Sequence, residues 1–381
     1  MLSIADWGIP QSVLFKGVYT MKKIVLLLLL LLFPCITVNA QDYSLQKGKS
    51  VDGTYAGEED YNYYQIKTSK ADYLEITAKT SDKKSLVIDI CDENKQILAE
   101  NVAIPHNKTV LHKAENNKIY YLKIKGSEGV TYKISYKVKS KELYISKYAK
   151  KYNFVFTNAS FNNEKNSIFI KLKMSQSGIL HLMCDTDDGV VVKYLDSKKK
   201  AVSKNVLMEK KALSGMGVQV NKTYYIKMWK PENTIEGTTT INNMKYQIAN
   251  VFSTSNTSRE KAKNLTRGKF AETLVPAGNK ITAWYKIDLS KKKKLKVTFE
   301  SHLFQNNGKG IKLYICNAKG KALHKAPILI TEEAKSKYKK KYKMEYPKKD
   351  ITTGELPVGT YYIKIVSDNK KTSGSYKISW Q

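Results

Sequence analysis

The sequence predicts an all-β protein that consists of three tandem antiparallel β-sandwich domains. Apolar residues alternate at period two along most segments: in Tyr361-Tyr362-Ile363-Lys364-Ile365 the first, third and fifth side chains share one face. The same succession of strands and turns also occurs three times in the chain. Strands with one apolar face pair antiparallel and pack face to face, which favours a sandwich over a helical or α/β fold.

The first 40 residues predict a secretory signal peptide. Met21-Lys22-Lys23 supplies a positive start, residues 24–33 are apolar, and Val38-Asn39-Ala40 places small residues before a cut at Gln41. The apolar run is too short to span a bilayer permanently. Residues 1–20 read as an upstream extension, because Met21 opens a complete signal. We therefore expect a secreted protein, extracellular or associated with the cell surface.

Cysteine usage supports neither a lipid anchor nor a disulfide framework. Cys35 raises lipidation as an alternative, but Pro34 stands where a lipobox has Gly, Ala or Ser. Cleavage leaves Cys91, Cys184 and Cys316, an odd and sparse set. We expect Cys184 to be a core residue, and Cys91 and Cys316 to occupy equivalent positions beside a turn.

The repeats are visible at the level of single strands. Asn117–Ile124 recurs as Asn221–Met228 and again as Val358–Ile365, and each copy is followed by a second, similar strand. Earlier in each unit, Tyr64, Ile66, Leu74 and Ile76 match residues at constant offsets of 106 and 221.

The copies set the domain boundaries. The first repeat covers residues 41–140, the second repeat 141–251, and the third repeat 252–381, which starts with a linker and carries a basic insertion at 332–353. Leu356-Pro357-Val358-Gly359-Thr360 resembles a sortase sorting signal. It is, however, the turn before a strand that every copy contains, so we interpret it as a turn and not as an anchor.

The repeats resemble the bacterial pre-peptidase C-terminal (PPC) domain family. The features that carry the resemblance are the opening strand after Gly57-Glu58-Glu59-Asp60-Tyr61, the turn Ile315–Gly320 and the closing segment Leu356–Ile363. The second repeat is degenerate, since it lacks the acidic opening and the Pro-Gly turn. The resemblance implies a jelly-roll-like sandwich, secretion and an accessory role beside secreted enzymes. Some members of the family bind collagen, polysaccharide or calcium, but here no peptidase domain precedes the repeats.

Composition points to an anionic partner. The chain has 66 Lys and Arg against 34 Asp and Glu, and removal of the first 40 residues leaves a net charge near +30. This excess predicts attraction to polyanions such as wall polymers or acidic sugars. The alternative is that lysine simply covers the outward strand faces. Specific nucleic-acid binding is not expected, because arginine is scarce and no reading motif is present.

No catalytic constellation is present in the sequence. The histidines show no metal-ligand spacing, and there is no nucleophile elbow or dinucleotide loop. We expect a protein that is not an enzyme and needs no cofactor. Calcium is considered at Glu58, Glu59 and Asp60, which open the first repeat, and at Asp185-Thr186-Asp187-Asp188-Gly189, for which the alternative is an Asp-Gly hairpin turn.

Outward aromatic residues beside lysines are the candidate ligand contacts. Alternation places Tyr225 and Trp229 on the Lys227 side of one strand and Trp284 on the Lys286 side of another. Such rings can stack on sugars or grip an extended peptide. The alternative is that loops or neighbouring domains cover them. We expect the basic insertion, with Tyr342 and Lys343, to form a polyanion patch together with residues 291–294.

These observations predict a secreted, non-catalytic binding or adhesion protein that contacts polysaccharide, cell-wall polyanion or extracellular matrix. One alternative is a structural spacer or envelope component without a specific ligand. Another is an accessory or cryptic secreted hydrolase whose site is not recognisable.

Overall fold

The computed structural model describes residues 41–381 except 56, 58–60, 70–72, 127, 141, 146–150, 187, 252–254, 306–309, 339–341 and 368. The described residues are nearly all in β-strands, as predicted, and helical structure there is limited to a 3₁₀ turn at Asn158–Ser160. No helix in these ranges is long and apolar enough to cross a membrane.

The strands are numbered in chain order. The first repeat contains β1 (Gln41–Ser44), β2 (Ser50–Thr54), β3 (Asn62–Lys67), β4 (Tyr73–Thr80), β5 (Leu86–Cys91), β6 (Ile97–Ile104), β7 (Lys108–Lys113), β8 (Ile119–Lys125) and β9 (Thr131–Lys139). The second repeat contains β10 (Glu142–Ile145), β11 (Lys151–Thr157), β12 (Ile168–Lys173), β13 (Gly178–Thr186), β14 (Val190–Leu195), β15 (Val206–Met208), β16 (Ala212–Val218), β17 (Thr223–Trp229) and β18 (Thr238–Asn250). The third repeat contains β19 (Lys263–Asn264), β20 (Ala271–Val275), β21 (Ile281–Leu289), β22 (Lys293–Gln305), β23 (Ile311–Cys316), β24 (Ile328–Ile330), β25 (Lys335–Tyr338), β26 (Tyr342–Glu345), β27 (Lys348–Leu356), β28 (Gly359–Ser367) and β29 (Ser373–Trp380).

Each repeat contributes one five-stranded sheet of the same topology. The strand orders are β1-β3-β8-β5-β6, β10-β12-β17-β14-β15 and β19-β21-β28-β23-β24. The first two strands of each order are parallel and the other neighbours are antiparallel. The expectation of purely antiparallel pairing therefore misses one edge pair per repeat. In the first repeat, the chain passes through β2 of the facing sheet between β1 and β3, so it returns to the same sheet in the same direction.

The facing sheets are not divided as cleanly. One eight-stranded sheet, ordered β16-β13-β18-β11-β7-β4-β9-β2, serves both the first and the second repeat, while β20-β29-β22-β27 serves the third. The first and second repeats meet where β7 pairs with β11 in parallel at Leu111 and Phe156.

The buried apolar side chains form three large clusters, which follow the repeats closely. Alternate residues such as Ile66, Leu122 and Ile124 fill the first cluster and Ile287, Ile363 and Ile365 the third, all essentially inaccessible to solvent. The second cluster also takes in Tyr73 and Leu111 from the first repeat and Ala277 from the third. The apolar face of each five-stranded sheet thus packs inward, and its other face is directed outward. The domain boundaries themselves stay a prediction.

Candidate functional site

The outer faces of the three five-stranded sheets carry the same arrangement of side chains. The central strand of each sheet (β8, β17 or β28) directs a tyrosine and, two residues later, a lysine to the outer face. Each of them is paired in register with an outward residue of the neighbouring strand. The lysine is flanked by an aromatic residue of the neighbouring strand, because the two residues are directly paired in the register. We call each set an aromatic–lysine face; its members are Tyr63, Lys123 and Tyr121 in the first repeat, Phe169, Lys227 and Tyr225 in the second, and Trp284, Lys364 and Tyr362 in the third.

In the first repeat, a lysine from a turn lies over both rings of the face. The rings of Tyr63 and Tyr121 meet edge to face with centroids 6.3 Å apart. The Lys95 ammonium lies 4.6 Å from the first centroid and 5.3 Å from the second, and it forms an ion pair with Asp42 at 2.9 Å. The hydrogen bond to Asp42 raises the pKa of Lys95, so the ammonium stays charged. Gln65 donates a hydrogen bond to the Tyr121 hydroxyl at 2.9 Å.

In the second repeat, a lysine from the equivalent turn also lies over both rings of the aromatic–lysine face. The Lys199 ammonium lies 5.1 Å from the ring centroids of both Phe169 and Tyr225. The central Lys227 pairs with Glu164 at 3.4 Å, and Glu164 also accepts a hydrogen bond from Lys193 at 3.0 Å. The bond from Lys193 is the main lowering influence on the pKa of Glu164, which therefore remains ionised and neutralises this face in part.

Tyr225 and Trp229 lie on the Lys227 side of β17, but neither ring is open to solvent. Both residues are only 6% exposed, and Trp229 belongs to the buried apolar cluster of the second repeat. The Lys227 ammonium lies 5.5 Å from the Trp229 ring centroid. The prediction that Tyr225 and Trp229 contact a ligand stays a prediction. The low exposure of both residues agrees better with the alternative, in which other parts of the protein cover these rings.

The third repeat carries the aromatic–lysine face with its rings half-buried, as Tyr63 and Tyr121 are in the first repeat. Trp284 and Tyr362 are both half-buried, and their rings meet edge to face with centroids 6.2 Å apart, as in the first repeat. The Lys364 ammonium lies between two rings, 5.2 Å from the centroid of Trp284 and 5.8 Å from that of Tyr314. Lys286, whose side chain is 35% exposed, pairs with Asp288 at 3.0 Å.

The loop beside each face is a turn with the same hydrogen bonds in all three repeats. The side chain of Asp92 accepts bonds from the backbone amides two and four residues on, and Asp196 and Asn317 do the same. The fourth residue of each turn has a positive φ: 61° at Lys95, 58° at Lys199 and 79° at Gly320. This left-handed position costs glycine nothing and is tolerated by lysine in the first two turns.

The residue before each turn is buried beneath it on the outer side of the sheet. Cys91, Leu195 and Cys316 pair in register with Tyr121, Tyr225 and Tyr362, and none belongs to the interior apolar clusters. Their equivalence beside a turn agrees with the expectation. Burial raises the pKa of the Cys91 thiol to about 11 and that of the core residue Cys184 to about 12, so neither forms a thiolate readily.

The β25–β26 hairpin of the basic insertion lies away from residues 291–294. Tyr342 and Lys343 lie on β26, which pairs with β25 as a separate hairpin. This hairpin lies beside the Leu303 end of β22, where the Ala334 amide bonds to the Leu303 carbonyl oxygen. Lys293 begins β22 at the opposite end, and ten strand residues span about 33 Å. The hairpin is thus separate from residues 291–294, whereas the end of the insertion runs along β22, where Thr352 pairs with Lys296. A polyanion patch there stays a prediction.

Of the calcium ligands considered from the sequence, Glu58, Glu59, Asp60 and Asp187 lie outside the described residues. Within the described ranges, no group of three or more His, Cys, Asp or Glu side chains is arranged to hold a metal ion.

Sequence reasoning found Trp284 and Lys286 but missed Tyr362 and Lys364, which complete the same face. A signal for them was present. The pair Tyr-Tyr occurs at the same position in every repeat, and its second member is followed two residues later by Lys123, Lys227 or Lys364. Because the first tyrosine of each pair points into the core, the second and the lysine must share the outer face.

Comparison with known proteins yields no close relative. No protein-family model matches the chain, and no curated protein matches its sequence. Among solved structures, the triple jelly-roll turret protein of an archaeal virus is 9% identical, with 88% of each chain covered and a TM-score of 0.23. Tandem CBM51 modules of a family 98 glycoside hydrolase from Streptococcus pneumoniae are also 9% identical, covering 61% of this chain and 83% of theirs, with a TM-score of 0.17. With TM-scores this low, neither similarity bears on what the chain does.

Proposed function

We propose that the chain is a secreted, non-catalytic binding protein, built from repeats of the PPC type, whose aromatic–lysine faces contact an acidic polysaccharide or a similar anionic extracellular polymer. The observation that carries the proposal is the threefold recurrence of an aromatic ring, a lysine and a tyrosine in the same register on an outward sheet face. Core packing does not require this set, since these side chains lie on the side of the sheet away from the apolar clusters.

The chemistry of the faces fits a sugar polymer with acidic groups. Aromatic faces stack on the C–H side of pyranose rings, and ammonium groups attract carboxylates or phosphates. The net charge near +30 of residues 41–381 draws a polyanion to the protein over a distance of about a Debye length, roughly 10 Å at moderate salt.

The test is binding of purified residues 41–381 to polygalacturonate, an acidic polysaccharide. We expect measurable binding at low salt that weakens as salt rises, because ammonium–carboxylate attraction is screened. A panel that adds polyphosphate, a neutral glucan and collagen would identify the other polymer classes. If none of these polymers is retained at low salt, the protein is a spacer without a ligand of this kind.

A charge-matched pair of variants separates the faces from general basicity. Replacing Lys123, Lys227 and Lys364 by Gln removes one lysine from each aromatic–lysine face. The control replaces Lys79, Lys137 and Lys371, which are exposed elsewhere on the protein, and changes the net charge equally. We expect the first variant to lose about tenfold in affinity and the control to lose less than about threefold. Equal losses would mean that only total charge matters.

A further inference from the structure

We propose that the ring pair Trp284–Tyr362 is the chain's sugar-binding platform, that it takes a pyranose ring bearing a carboxylate, and that the first and second repeats hold the equivalent platform closed with a lysine. This inference rests on the proposed function, because it names which of the three aromatic–lysine faces accepts the sugar. What distinguishes the faces is the residue at one position of the turn beside them.

The three turns are superimposable in their hydrogen bonding but differ at the left-handed position. Lys95 and Lys199 occupy it in the first two repeats, and Gly320 occupies it in the third. From there the lysine side chain extends back over the sheet, so that its ammonium lies within about 5 Å of both ring centroids in each case. A cation held over both rings of the pair occupies the space that a sugar stacked across them would need. In the third repeat, Lys364 lies over the rings of Trp284 and Tyr314, at 5.2 and 5.8 Å from their centroids, and the lysine position of the turn is Gly320.

Gly320 leaves that space without a side chain from the turn. A Cβ built on this residue would lie 3.7 Å from Cη2 of Trp284, so the position does border the platform. The Arg259 side chain, from a different segment, borders the same position, with its Cδ 3.4 Å and its Nη1 3.6 Å from that Cβ. Its Nη1 lies 3.5 Å from the Ala318 carbonyl oxygen and its Nη2 3.5 Å from Glu260. The guanidinium is therefore held towards the turn and its own neighbour, at the rim of the platform.

The charges around the open platform favour an acidic sugar. Of the central lysines, Lys227 in the second repeat is paired with Glu164, and Lys123 in the first lies 3.6 Å from the ring centroid of Tyr61. The covering Lys95 of the first repeat is paired with Asp42. In the third, the contacts of Lys364 within the described residues are with the rings of Trp284 and Tyr314. A carboxylate on a stacked pyranose ring would supply its counter-ion.

The first experiment closes the open platform by substitution. Lysine already occupies this position of the turn at φ near 60°, so Gly320→Lys is compatible with the fold. We expect it to weaken polygalacturonate binding by about tenfold, close to the effect of Trp284→Ala. The matched control is Gly320→Asn, because asparagine also tolerates positive φ but is too short to cover the rings. It should stay within about threefold of the unaltered protein. Thermal unfolding of each variant verifies that the fold is intact.

The second experiment opens a closed platform. Lys95→Gly and Lys199→Gly together should strengthen polygalacturonate binding, although they remove two positive charges. Polyphosphate, which has no sugar rings to stack, is the comparison polymer. Because it responds to charge alone, it should bind Gly320→Lys more tightly and the double glycine variant more weakly, the reverse of what we expect for polygalacturonate. The proposal is overturned if both polymers respond in parallel with charge, or if Gly320→Lys and Trp284→Ala leave polygalacturonate binding unchanged. If the unaltered protein binds no acidic polysaccharide at all, the proposed function itself fails.

Discussion

Buried hydroxyl groups link the two sheets of the first and third repeats. The Tyr64 and Tyr132 hydroxyls are 3.0 Å apart, and those of Tyr285 and Tyr376 are 2.9 Å apart. The residue paired with the second tyrosine differs. Thr273 adds a third hydroxyl in the third repeat, whereas Gly53 in the first makes room for the rings, since a Cβ there would lie 2.6 Å from Tyr132.

Tyr285→Phe tests the contribution of this hydroxyl cluster to stability. The substitution leaves the buried Tyr376 hydroxyl without one of its partners, and we expect it to lower the free energy of unfolding by about 1–3 kcal/mol. Urea denaturation measures the change. The double variant with Tyr376→Phe should cost less than the sum of the single changes, because it removes both partners. If Tyr285→Phe leaves the free energy of unfolding unchanged, the hydroxyl cluster does not contribute to stability.

His112 makes stability depend on pH. It is fully buried, its Nδ1 lies 2.8 Å from the Thr157 hydroxyl, and desolvation lowers its pKa from 6.5 to about 4. The unfolded chain therefore binds a proton below about pH 6.5 that the folded protein does not bind until about pH 4. Stability is complete above that range and is lost as the pH falls through it, by about 2 kcal/mol at pH 5.

The measurement is the urea midpoint at pH 7.5 and at pH 5 for the native protein and for His112→Asn. The variant should lose a part of the pH dependence and not all of it, because burial also lowers the pKa of His181 and His302. Identical pH profiles would contradict the assignment.

At the residue scale, alternation predicted which side chains face the core but not which outward rings are covered. Tyr225 and Trp229 lie on the Lys227 side of β17, as expected, yet both are buried. Lys199 is one of the residues that cover Tyr225. Its side chain reaches over the sheet because its backbone has a positive φ, and the sequence Asp-Ser-Lys-Lys-Lys does not predict that conformation.

At the element scale, the junction between the second and third repeats depends on close backbone approach. Gly217 on β16 forms an isolated parallel bridge with Pro276, and the Ala277 amide bonds to its carbonyl oxygen at 2.9 Å. A Cβ on Gly217 would meet the Val275 carbonyl oxygen at only 2.3 Å. A side chain there cannot be accommodated unless the two repeats move apart.

Gly217→Ala should therefore destabilise the protein by about 2 kcal/mol or more. The control is Gly354→Ala on β27, where an added Cβ meets nothing within 4 Å, and we expect a change within about 0.5 kcal/mol. Thermal unfolding of the two variants gives the comparison. Similar melting temperatures would indicate that the second and third repeats are not tightly joined in solution.

The strands were predictable from period-two alternation, but some of their partners were not. The short edge strands β1, β10 and β19 pair in parallel with β3, β12 and β21. Alternation reports which face is buried and says nothing about chain direction, which depends on whether the connecting segment passes through the facing sheet. For the same reason, the sequence could not place the β25–β26 hairpin at the far end of β22.

At the scale of the whole molecule, the first and second repeats share one sheet. Besides the β7–β11 pairing, the Gly237 amide bonds to the Glu100 carbonyl oxygen at 2.6 Å, and Lys113 bonds to Asn166 at 3.0 Å. Sequence periodicity identified three copies but could not reveal this shared sheet. Periodicity identifies the strands within each copy, but it does not tell which strand of one copy, here β7, lies beside which strand of the next, here β11.

We therefore expect the first two repeats to unfold as one cooperative unit. Hydrogen exchange followed by mass spectrometry along a urea series should show the amides of β4 and β7 opening together with those of β11 and β18. Exchange of the first repeat at clearly lower urea than the second would contradict this coupling. The amides of β22 and β29 in the third repeat provide the internal comparison.

Hydroxyl-radical footprinting of residues 41–381, with and without saturating polygalacturonate, tests most directly where the polymer binds. We expect protection of Trp284, Tyr314 and Tyr362, with little change at Tyr63 and Tyr121, because Lys95 covers these two rings in both states. Protection confined to the β25–β26 hairpin, or spread evenly over all basic surfaces, would contradict the claim that an open aromatic–lysine face is the site where the polymer binds.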